Sequence, residues 1–298
     1  MRTIIRAVVA CVAMAGAVTC AAAITSRSYV QQGLVAQYDG IDNAGYGVHN
    51  DSAKIWKDLT GNGNDGTCAS QLSWTANSWS VSGDCKPVTL GNSISSVTAT
   101  KEYTIQFACT PAQTSLRESF FSQYNSGNEY GIGIEHNDGT SESGYLRFYS
   151  NKGGQHPGAS PFLANEYVQG AITVSNKGKN VGFWRDGTSI GVKTYSAEPT
   201  CNSGIPSVIG GEPWPSSNRT GGRYDATYKM AFHGTYNAFR IYNRVLTADE
   251  MKVNAAVDAI RFNGANPGDF TLGGGWSFDD SGNLCVMVTV IHAVEPEK

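Results

Sequence analysis

The stretch HGTYNAFRIYNRVLTADEM, residues 233–251, decides the fold of this chain. Its residues 236–243 fall into two alternating sets, and a period of two is the side-chain repeat of a β-strand. Thr247 and Glu250 have the spacing of a capping box, in which each side chain accepts a hydrogen bond from the other residue's backbone N–H group. The stretch therefore predicts a strand, a short turn and a capped helix, and it contains no catalytic constellation.

The amino terminus predicts export. Arg2 and Arg6 form a short basic start, and residues 7–18 form an apolar run that is too short to span a bilayer. Residues 21–23 are the small alanines that a signal peptidase requires. We therefore predict a signal peptide over residues 1–23 and a mature protein that is secreted, periplasmic or held at the cell surface.

Two details of this segment leave alternatives open. Cleavage is predicted after Ala23, with Ala17 as the alternative, and Cys20 raises the further alternative of a lipid anchor. Thr19 counts against the anchor, because a smaller residue is expected before a lipid-modified cysteine. The longest remaining apolar run, residues 284–294, has the length of a strand, so no transmembrane segment is predicted.

Length and charge limit the class of protein. The chain has 298 residues, and a single β-sandwich routinely reaches roughly 200–250 residues. Its formal net charge of −3 gives no electrostatic reason to expect nucleic acid or an anionic membrane as a partner. The many Gly, Tyr, Ser, Thr and Asn residues favour an all-β domain.

The cysteines predict a partly oxidised protein. Of the seven in the chain, the two at positions 11 and 20 leave with the signal peptide, and the odd number that remains means that at least one stays free or pairs between chains. Cys68 and Cys85 bracket a predicted hairpin and are the first choice of disulfide, and Cys109 with Cys201 is the second. No C-x-x-C motif is present, which argues against a zinc ribbon.

Several segments resemble, in the right order, the motifs of one family. They are GLVAQYD (33–39), WKDLTGNGNDG (56–66), YTIQF (103–107), the strand pair 167–174 and 180–187, and the closing stretch 233–251. Together they resemble the laminin-G-like, concanavalin A-like lectin/glucanase domain over residues 33–262. The resemblance implies a jelly-roll β-sandwich with one short C-terminal helix, and residues 263–298 are predicted to add a C-terminal β-hairpin extension that turns at 279–283.

The same fold houses glucanases, which makes a glycoside hydrolase the enzyme to consider. Such enzymes place two carboxylates on one face of a strand, and the nearest segment here, residues 135–138, has the wrong spacing. Residues 61–66 match a nucleotide-binding motif and residues 187–191 match a nucleophile elbow, but neither lies between a strand and a helix. We therefore predict that the protein is not an enzyme, with a hydrolase as the third choice of function.

A loop rich in oxygen ligands raises the question of calcium. Asp58, Asn62, Asn64 and Asp65 are crowded into one segment, and carboxylate and amide oxygens are the ligands that calcium prefers. The alternative is that these residues form hydrogen-bonded turns, for which Asn and Asp are equally suited. No cofactor is required by the sequence, and calcium stays an open alternative.

Aromatic side chains suggest where a sugar would bind. Trp214 lies between two prolines in a long loop that also carries Arg219, Arg223 and Tyr224, and an exposed aromatic ring suits the apolar face of a pyranose. Trp184 lies beside a hairpin tip, where an outward or a core position is equally expected. Trp56 and Phe107 are predicted to be core residues.

The sequence therefore predicts an exported, non-catalytic recognition module that binds a glycan or another cell-surface component. The alternative is a structural or adhesive protein that binds a surface protein through the same loops. An aromatic platform would favour the glycan and a broad apolar patch would favour the protein partner.

Overall fold

The computed structural model describes residues 15–20, 23–68, 72–81, 87–91, 93–114, 118–123, 130–135, 144–199, 206–211 and 231–290, with only the backbone described at 15–20, 130–135 and 288–290. Strands dominate the chain. In chain order the elements are β1 (Ala15–Cys20), β2 (Leu34–Asp39), β3 (Ile55–Trp56), β4 (Gly66–Thr67), β5 (Ser73–Thr75), β6 (Ser78–Val81), β7 (Val88–Thr89), α1 (Ser93–Ala99), β8 (Tyr103–Pro111), β9 (Glu118–Ser122), β10 (Tyr130–Glu135), β11 (Tyr145–Ser150), β12 (Gly153–Gln155), β13 (Val168–Ser175), β14 (Asn180–Arg185), β15 (Thr188–Thr194), β16 (Val208–Ile209), β17 (Gly234–Tyr242), α2 (Ala248–Asn263), a 3-10 turn (Pro267–Asp269), β18 (Trp276–Phe278) and β19 (Leu284–Val290).

Two antiparallel sheets of eight strands form a sandwich. The back sheet has the order β15-β14-β13-β8-β17-β6-β5, and β2 also pairs with β17. The front sheet has the order β12-β11-β10-β9-β16-β7-β4-β3. Because each sheet joins strands that are far apart in the sequence, the prediction of an all-β jelly-roll sandwich rather than a simple meander is confirmed.

The main core lies between the two sheets. It takes Phe107 and Ile105 from the back sheet and Phe120 and Phe148 from the front sheet, all fully buried. The rings of Phe107 and Phe120 stack across the interface with centroids 4.1 Å apart. Trp56 is also fully buried, so the two residues predicted to be core residues both lie there.

A second apolar cluster covers the outer face of the back sheet. Helix α2 supplies Met251, Val253 and Val257 to it, and strand β17 supplies Tyr242. The helix begins as predicted: Glu250 N–H donates to the Thr247 hydroxyl at 3.3 Å, and Thr247 N–H donates to the Glu250 carboxylate at 2.9 Å. Helix α2 thus covers the outer face of the back sheet. In the described part of the chain, the front sheet has no long helix on its outer face.

Strand β17 gives the arginine of the opening stretch a structural role. Phe239 and Ile241 enter the main core, and Arg240 points the other way, towards α2. A β-bulge between Tyr236 and Ala238 shifts the alternation, so that Tyr236 faces the main core with Phe239. The sequence had placed Tyr236 and Arg240 on one face, which is wrong, because the bulge inserts an extra residue into the strand.

Arg240 is held by a buried ion pair. Its guanidinium donates two hydrogen bonds to Asp258 of α2, one of them 2.8 Å long, and both side chains are 1% exposed. The Tyr29 hydroxyl donates to the same carboxylate at 2.7 Å, and the guanidinium lies 4.0 Å from the centre of the Tyr29 ring. The pair therefore locks α2 to the back sheet.

One helix was not predicted. Helix α1 (Ser93–Ala99) is short and rich in Ser, Thr and Val, which are not strong helix formers. Ile94 and Val97 bury their side chains in the main core, and the Thr98 hydroxyl donates to the buried Gln123 amide at 2.5 Å. Tertiary packing, rather than local propensity, thus stabilises this helix.

The C-terminal extension forms a separate three-stranded sheet in the order β1-β19-β18. It packs beside α2, where Leu284 joins the helix cluster and Trp276 and Phe278 pack against it. Residues 15–20, which fall within the predicted signal peptide, form the strand opposite β19, and the signal peptide itself stays a prediction. None of the helices in the described ranges is both long and apolar enough to cross a membrane.

The cysteines differ from the predicted pairing. Cys109 is fully buried with a free thiol, because the alternation of β8 points it into the main core, so the Cys109–Cys201 pair is not formed; Cys201 lies outside the described residues. Cys68 packs half-buried against the core and Cys85 lies outside the described residues, so that pairing stays a prediction. The strand register places the backbone of Cys20 opposite that of Cys285.

Candidate functional site

Strand β11 of the front sheet presents a row of polar aromatic and basic side chains on its outer face. Leu146 and Phe148 lie in the main core, so the alternation of the strand turns Tyr145, Arg147 and Tyr149 away from it. Tyr145 and Arg147 are half-buried and Tyr149 is 9% exposed. A strand with one apolar and one polar face is expected at a sheet whose outer side meets solvent.

Glycines flank this row. The register places Gly131 opposite Tyr149 and Gly133 opposite Arg147 on β10, whereas Glu135 is opposite Tyr145. On β12, a Cβ atom at Gly154 would lie 1.8 Å from the Arg147 Nε atom, which means that the arginine lies directly over that backbone. The glycines therefore leave the space beside Tyr149 and Arg147 free of side chains from β10, and Arg147 fills the space over Gly154.

Neighbouring side chains hold the row in place. The hydroxyl groups of Tyr149 and Ser119 are hydrogen-bonded at 2.9 Å, and Ser119 belongs to β9. The His156 ring stacks on the Tyr145 ring, with centroids 5.4 Å apart and planes 13° from parallel. We call Tyr145, Arg147, Tyr149, Ser119 and His156 the β11 face.

The chemistry of the β11 face suits a flat polar ligand. Phenol rings offer apolar surface together with a hydroxyl, and the guanidinium offers several N–H donors in one plane. Sugars combine an apolar ring face with a rim of hydroxyl groups, and these are complementary to that set. The sequence signal was present in the YLRFY pattern of residues 145–149, but it becomes a site only when β10 brings its glycines beside it.

Most of the ligand-binding residues predicted from the sequence fall outside the description. Trp214, Arg219, Arg223 and Tyr224 belong to residues 212–230, which lie outside the described residues. Trp184 is described and lies on β14 of the back sheet, where its indole packs against the helix cluster and its N–H donates to the Thr173 hydroxyl at 3.3 Å. It is therefore on the opposite side of the sandwich from the β11 face.

The Asp58 carboxylate is saturated by donors of its own neighbourhood. Its Oδ1 atom accepts hydrogen bonds from the backbone N–H groups of Gln37 (3.1 Å) and Thr60 (3.0 Å). Its Oδ2 atom accepts from Asn64 N–H at 3.1 Å, and the Thr60 hydroxyl donates to both oxygens. Asp58 is 3% exposed, so these bonds satisfy a buried carboxylate in the way that a turn requires.

The rest of the predicted calcium loop behaves in the same way. Asp65 accepts from Asp58 N–H at 3.0 Å and from the Lys57 ammonium at 2.6 Å. The side-chain amides of Asn62 and Asn64 both donate to the Val35 carbonyl. These carboxylate oxygens accept from N–H and O–H donors, so the four residues fit the hydrogen-bonded turns that were the alternative interpretation, and calcium binding stays a prediction.

A buried carboxylate that the sequence did not single out joins the two sheets. Glu118 of β9 is 1% exposed, and it accepts from His233 through both the ring Nδ1 at 2.7 Å and the backbone N–H at 3.1 Å. The Gln113 amide donates to it at 2.7 Å. Burial raises the pKa of Glu118, and the hydrogen bonds from His233 oppose that shift. Its partner is an imidazole, so this pair lacks the two facing carboxylates of a glycosidase.

The structure also describes the two segments that match a nucleophile elbow and a nucleotide-binding motif. Ser189 of residues 187–191 lies on the edge strand β15, and Asp186 and Gly187 before it have φ angles of 49° and 73°, as in a tight hairpin turn. Residues 61–66 lead into the short strand β4. The segment 135–138 lies outside the described side chains.

Comparison with known proteins agrees with the architecture. A sequence model of the concanavalin A-like lectin/glucanase superfamily, of laminin-G type, matches residues 83–252, more than half of the chain. None of the curated proteins matches the sequence. The family resemblance predicted from the sequence motifs is thus confirmed.

Three solved structures illustrate the likeness. Domain 4 of AbnA, a GH43 extracellular arabinanase from Geobacillus stearothermophilus, in complex with arabinotriose, has a TM-score of 0.54 at 16% identity and covers 74% of this chain and 98% of that chain. Trypanosoma rangeli sialidase in complex with sialic acid has a TM-score of 0.51 at 14% identity and covers 79% of this chain and 34% of that chain. The receptor-binding domain of botulinum neurotoxin type G has a TM-score of 0.50 at 11% identity and covers 76% of this chain and 52% of that chain.

These three likenesses concern the fold. The chain spans about a third of the sialidase and about half of the neurotoxin domain that it matches. At identities below one residue in five, shared architecture does not carry over a ligand or a reaction.

Proposed function

Because the chain belongs to the concanavalin A-like lectin/glucanase superfamily, we propose that it is an exported, non-catalytic module that binds carbohydrate on the β11 face. The observation that carries the proposal is the row of Tyr145, Arg147 and Tyr149 beside Gly131 and Gly133. The row is long enough to meet more than one sugar ring, because strand residues on one face are about 6–7 Å apart.

The fixed geometry of the β11 face supports binding over mere exposure. Ser119 holds the Tyr149 hydroxyl and His156 stacks on Tyr145, so less side-chain freedom is lost when a ligand arrives. Arg147 adds a planar set of N–H donors, which suits the hydroxyl and carboxylate oxygens of a sugar.

The distribution of exposed apolar side chains favours the glycan over a protein partner. Among the described residues, the large apolar side chains that are exposed come from different parts of the fold: Tyr46, Val48, Ile55, Leu163, Val192, Val245 and Met287. Ile55 lies on β3 at one edge of the front sheet and Val192 lies on β15 at one edge of the back sheet. Scattered apolar residues of this kind do not form the broad patch that a protein-binding surface requires.

The test is a glycan array followed by calorimetric titration of the positive sugars, each with calcium and with a chelator. The arabinotriose bound to the arabinanase domain makes arabino-oligosaccharides the first titrants, and uronic acid and sialic acid oligomers come next because of Arg147. We expect saturable binding that the chelator leaves unchanged, because the Asp58 loop has its carboxylates occupied by donors.

Four variants locate the site. Tyr145→Ala and Arg147→Ala are each expected to weaken binding roughly five- to tenfold, since one aromatic or charged contact contributes about 1–1.5 kcal/mol. Trp184→Phe, on the back sheet, is the matched control and is expected to bind as the wild type does. Trp214→Ala tests the loop predicted from the sequence. We expect this substitution to leave the melting temperature unchanged.

Two results would count against the proposal, the first against carbohydrate binding and the second against the β11 face as its site. An array that stays blank in both conditions would favour the adhesive, protein-binding alternative. Full binding by the Tyr145 and Arg147 variants, with loss in Trp214→Ala, would keep the carbohydrate function and move it to the loop.

A further inference from the structure

The C-terminal extension contains a groove outside the residues that the family model matches. It has a volume of about 640 Å³, within the range of roughly 300–1,000 Å³ that is usual for small-molecule sites. One wall is formed by the 3-10 turn and the residues that follow it, and the other by β18 and its turn. The lining residues are Pro267, Gly268, Phe270, Thr271, Leu272, Trp276, Ser277, Phe278, Asp279, Asp280, Ser281 and Gly282.

The aromatic side chains of the groove are held from behind. Trp276, Phe278 and Leu272 line the groove and also pack against the helix cluster, and each remains partly exposed. The Phe270 and Phe278 rings lie across from each other with centroids 6.4 Å apart and planes inclined at 54°. A ring that is fixed on one face and open on the other is a stacking platform formed before any ligand arrives.

The turn at the end of β18 is also rigid. The Asp279 carboxylate accepts hydrogen bonds from the backbone N–H groups of Ser281 (2.9 Å) and Asn283 (2.8 Å) and from the Asn283 amide (2.9 Å). Those bonds fix Asp279 and leave the neighbouring Asp280 exposed, with no ion pair to any described residue. Asp280 is therefore available to a ligand.

The charge of the lining selects the sign of the ligand. Two carboxylates, those of Asp279 and Asp280, border the groove, and the lining contains no Lys, Arg or His. Aromatic faces attract cations through the ring quadrupole, so the rings and the carboxylates favour the same sign. The hydroxyl groups of Thr271, Ser277 and Ser281 add acceptors and donors at the rim.

We propose that this groove binds a cationic pyranose, namely a ring of an amino-sugar oligomer whose ammonium group faces Asp280. The apolar face of the ring would stack on Trp276 and Phe278, where packing against the helix cluster has already fixed the platform. The volume accommodates more than one ring, whereas a single quaternary ammonium group would leave most of it unfilled.

This second site goes beyond the β11 face. It lies in residues 267–282, after the matched range 83–252, and on a different sheet. The two sites also differ in charge, since Arg147 marks the β11 face and carboxylates mark the groove. A chain with both would engage a mixed glycan surface at two points, and its avidity would exceed either single affinity.

The experiment titrates the purified full chain with a glucosamine tetramer, at low ionic strength and at a pH at which its amines are protonated. The N-acetylglucosamine tetramer is the matched probe, because it keeps the backbone and removes the charge. We expect saturable binding of the glucosamine tetramer and roughly five- to tenfold weaker binding of its acetylated counterpart, since loss of both the cation–π and the carboxylate contacts is worth about 1–1.5 kcal/mol.

Variants separate the groove from the rest of the protein. Asp280→Asn changes an exposed side chain and preserves folding, and it is expected to weaken binding of the glucosamine tetramer roughly two- to fivefold without affecting the acetylated tetramer. Trp276→Ala is expected to weaken both probes roughly tenfold. Glu198→Gln, which removes one exposed carboxylate charge outside the groove, is the control for Asp280→Asn, and Tyr145→Ala is the control for a site on the β11 face; both are expected to bind the glucosamine tetramer as the wild type does.

Each outcome decides one element of the proposal. Absence of saturable binding of either tetramer, or wild-type binding by both Asp280→Asn and Trp276→Ala, would overturn the site. Equal affinity for the two tetramers would overturn the role assigned to charge. Loss of tetramer binding in Tyr145→Ala would assign the ligand to the β11 face, and a blank array with intact tetramer binding would refute the first site and leave this one.

Discussion

Replacement of Asp258 by Asn tests whether the buried ion pair attaches α2 to the sandwich. The substitution keeps the shape of the side chain and removes its charge, so the Arg240 guanidinium, which is 1% exposed, would be left without a counter-ion. Removal of one partner of a buried pair usually costs about 3–5 kcal/mol, because the other charge stays desolvated. That is a large part of a domain stability of about 5–15 kcal/mol.

The hydrogen bonds of Asp258 narrow the expected loss of stability in Asp258→Asn. In Asp258→Asn the new amide oxygen would still accept the hydrogen bond from the Tyr29 hydroxyl, which is 2.7 Å long in the wild type, and would accept one of the two bonds from Arg240. We therefore expect the lower end of the range, about 3 kcal/mol, and a fall in melting temperature of roughly 6–12 °C for a domain of this size. Urea unfolding followed by tryptophan fluorescence gives the free energy directly.

A double variant separates charge from packing. Arg240→Met combined with Asp258→Leu removes both charges and leaves only the Tyr29 hydroxyl without its acceptor, a loss of about 1–3 kcal/mol. The double variant should therefore be at least as stable as Asp258→Asn alone. Glu198→Gln is the surface control, since Glu198 is 42% exposed and its ion pairs with Lys101 (3.5 Å) and Lys177 (3.9 Å) lie at the surface, and its effect should stay within about 1 kcal/mol.

The reasoning fails under two results. A loss below about 1 kcal/mol in Asp258→Asn would mean that water or another group compensates the arginine. A double variant that is less stable than Asp258→Asn would mean that packing, and not the unpaired charge, sets the cost.

The remaining predictions concern the interior and pH. Burial raises the pKa of Glu118 above its ordinary value of 4.5, so the folded state binds this proton more tightly than the unfolded state does; its contribution to stability is present below pH 4.5 and is lost as pH rises through the folded pKa. The unfolding free energy of wild type minus that of Glu118→Gln should therefore fall with rising pH above 4.5, and a flat difference across urea titrations would contradict this. Gly170→Ala should destabilise by about 1–3 kcal/mol, because its Cβ would lie 2.3 Å from the Phe107 ring, whereas Gly268→Ala meets no atom within 4 Å and should change stability by less than about 0.5 kcal/mol in the same assay.

Local chemistry explains what the sequence could predict. The capping box of α2 and the Asp186–Gly187 turn each depend on two or three neighbouring residues, and both are formed as expected. The closing strand was recognised from its period of two, which is the side-chain repeat of a β-strand, although the bulge in it was not predicted. Such features do not depend on what lies across the sheet, whereas the jelly roll itself was predicted from the ordered resemblance of several segments to one family.

Features that depend on distant residues were missed. Helix α1 forms because Ile94 and Val97 meet a core built by other segments, and the bulge in β17 depends on its pairing with β8. The Asp58 loop shows the limit most clearly, because the same carboxylates and amides serve calcium or turns, and only the donors around them distinguish the two. Gln37 and Thr60, which supply those donors, come from different segments.

The candidate site follows the same division. Tryptophans near loop tips are the residues that the sequence predicts as sugar contacts. Trp184 is one of them, because Asp186 and Gly187 form a tight turn just after it. Helix α2 covers the outer face of the back sheet, so a residue on that face packs against the helix whatever its type. On the front sheet, Tyr145 and Arg147 of the pattern YLRFY remain partly exposed, and Tyr149 is 9% exposed. Which sheet carries the long helix therefore decides which aromatic residues can meet a ligand, and α2 is held on the back sheet by the helix cluster and the Arg240–Asp258 pair.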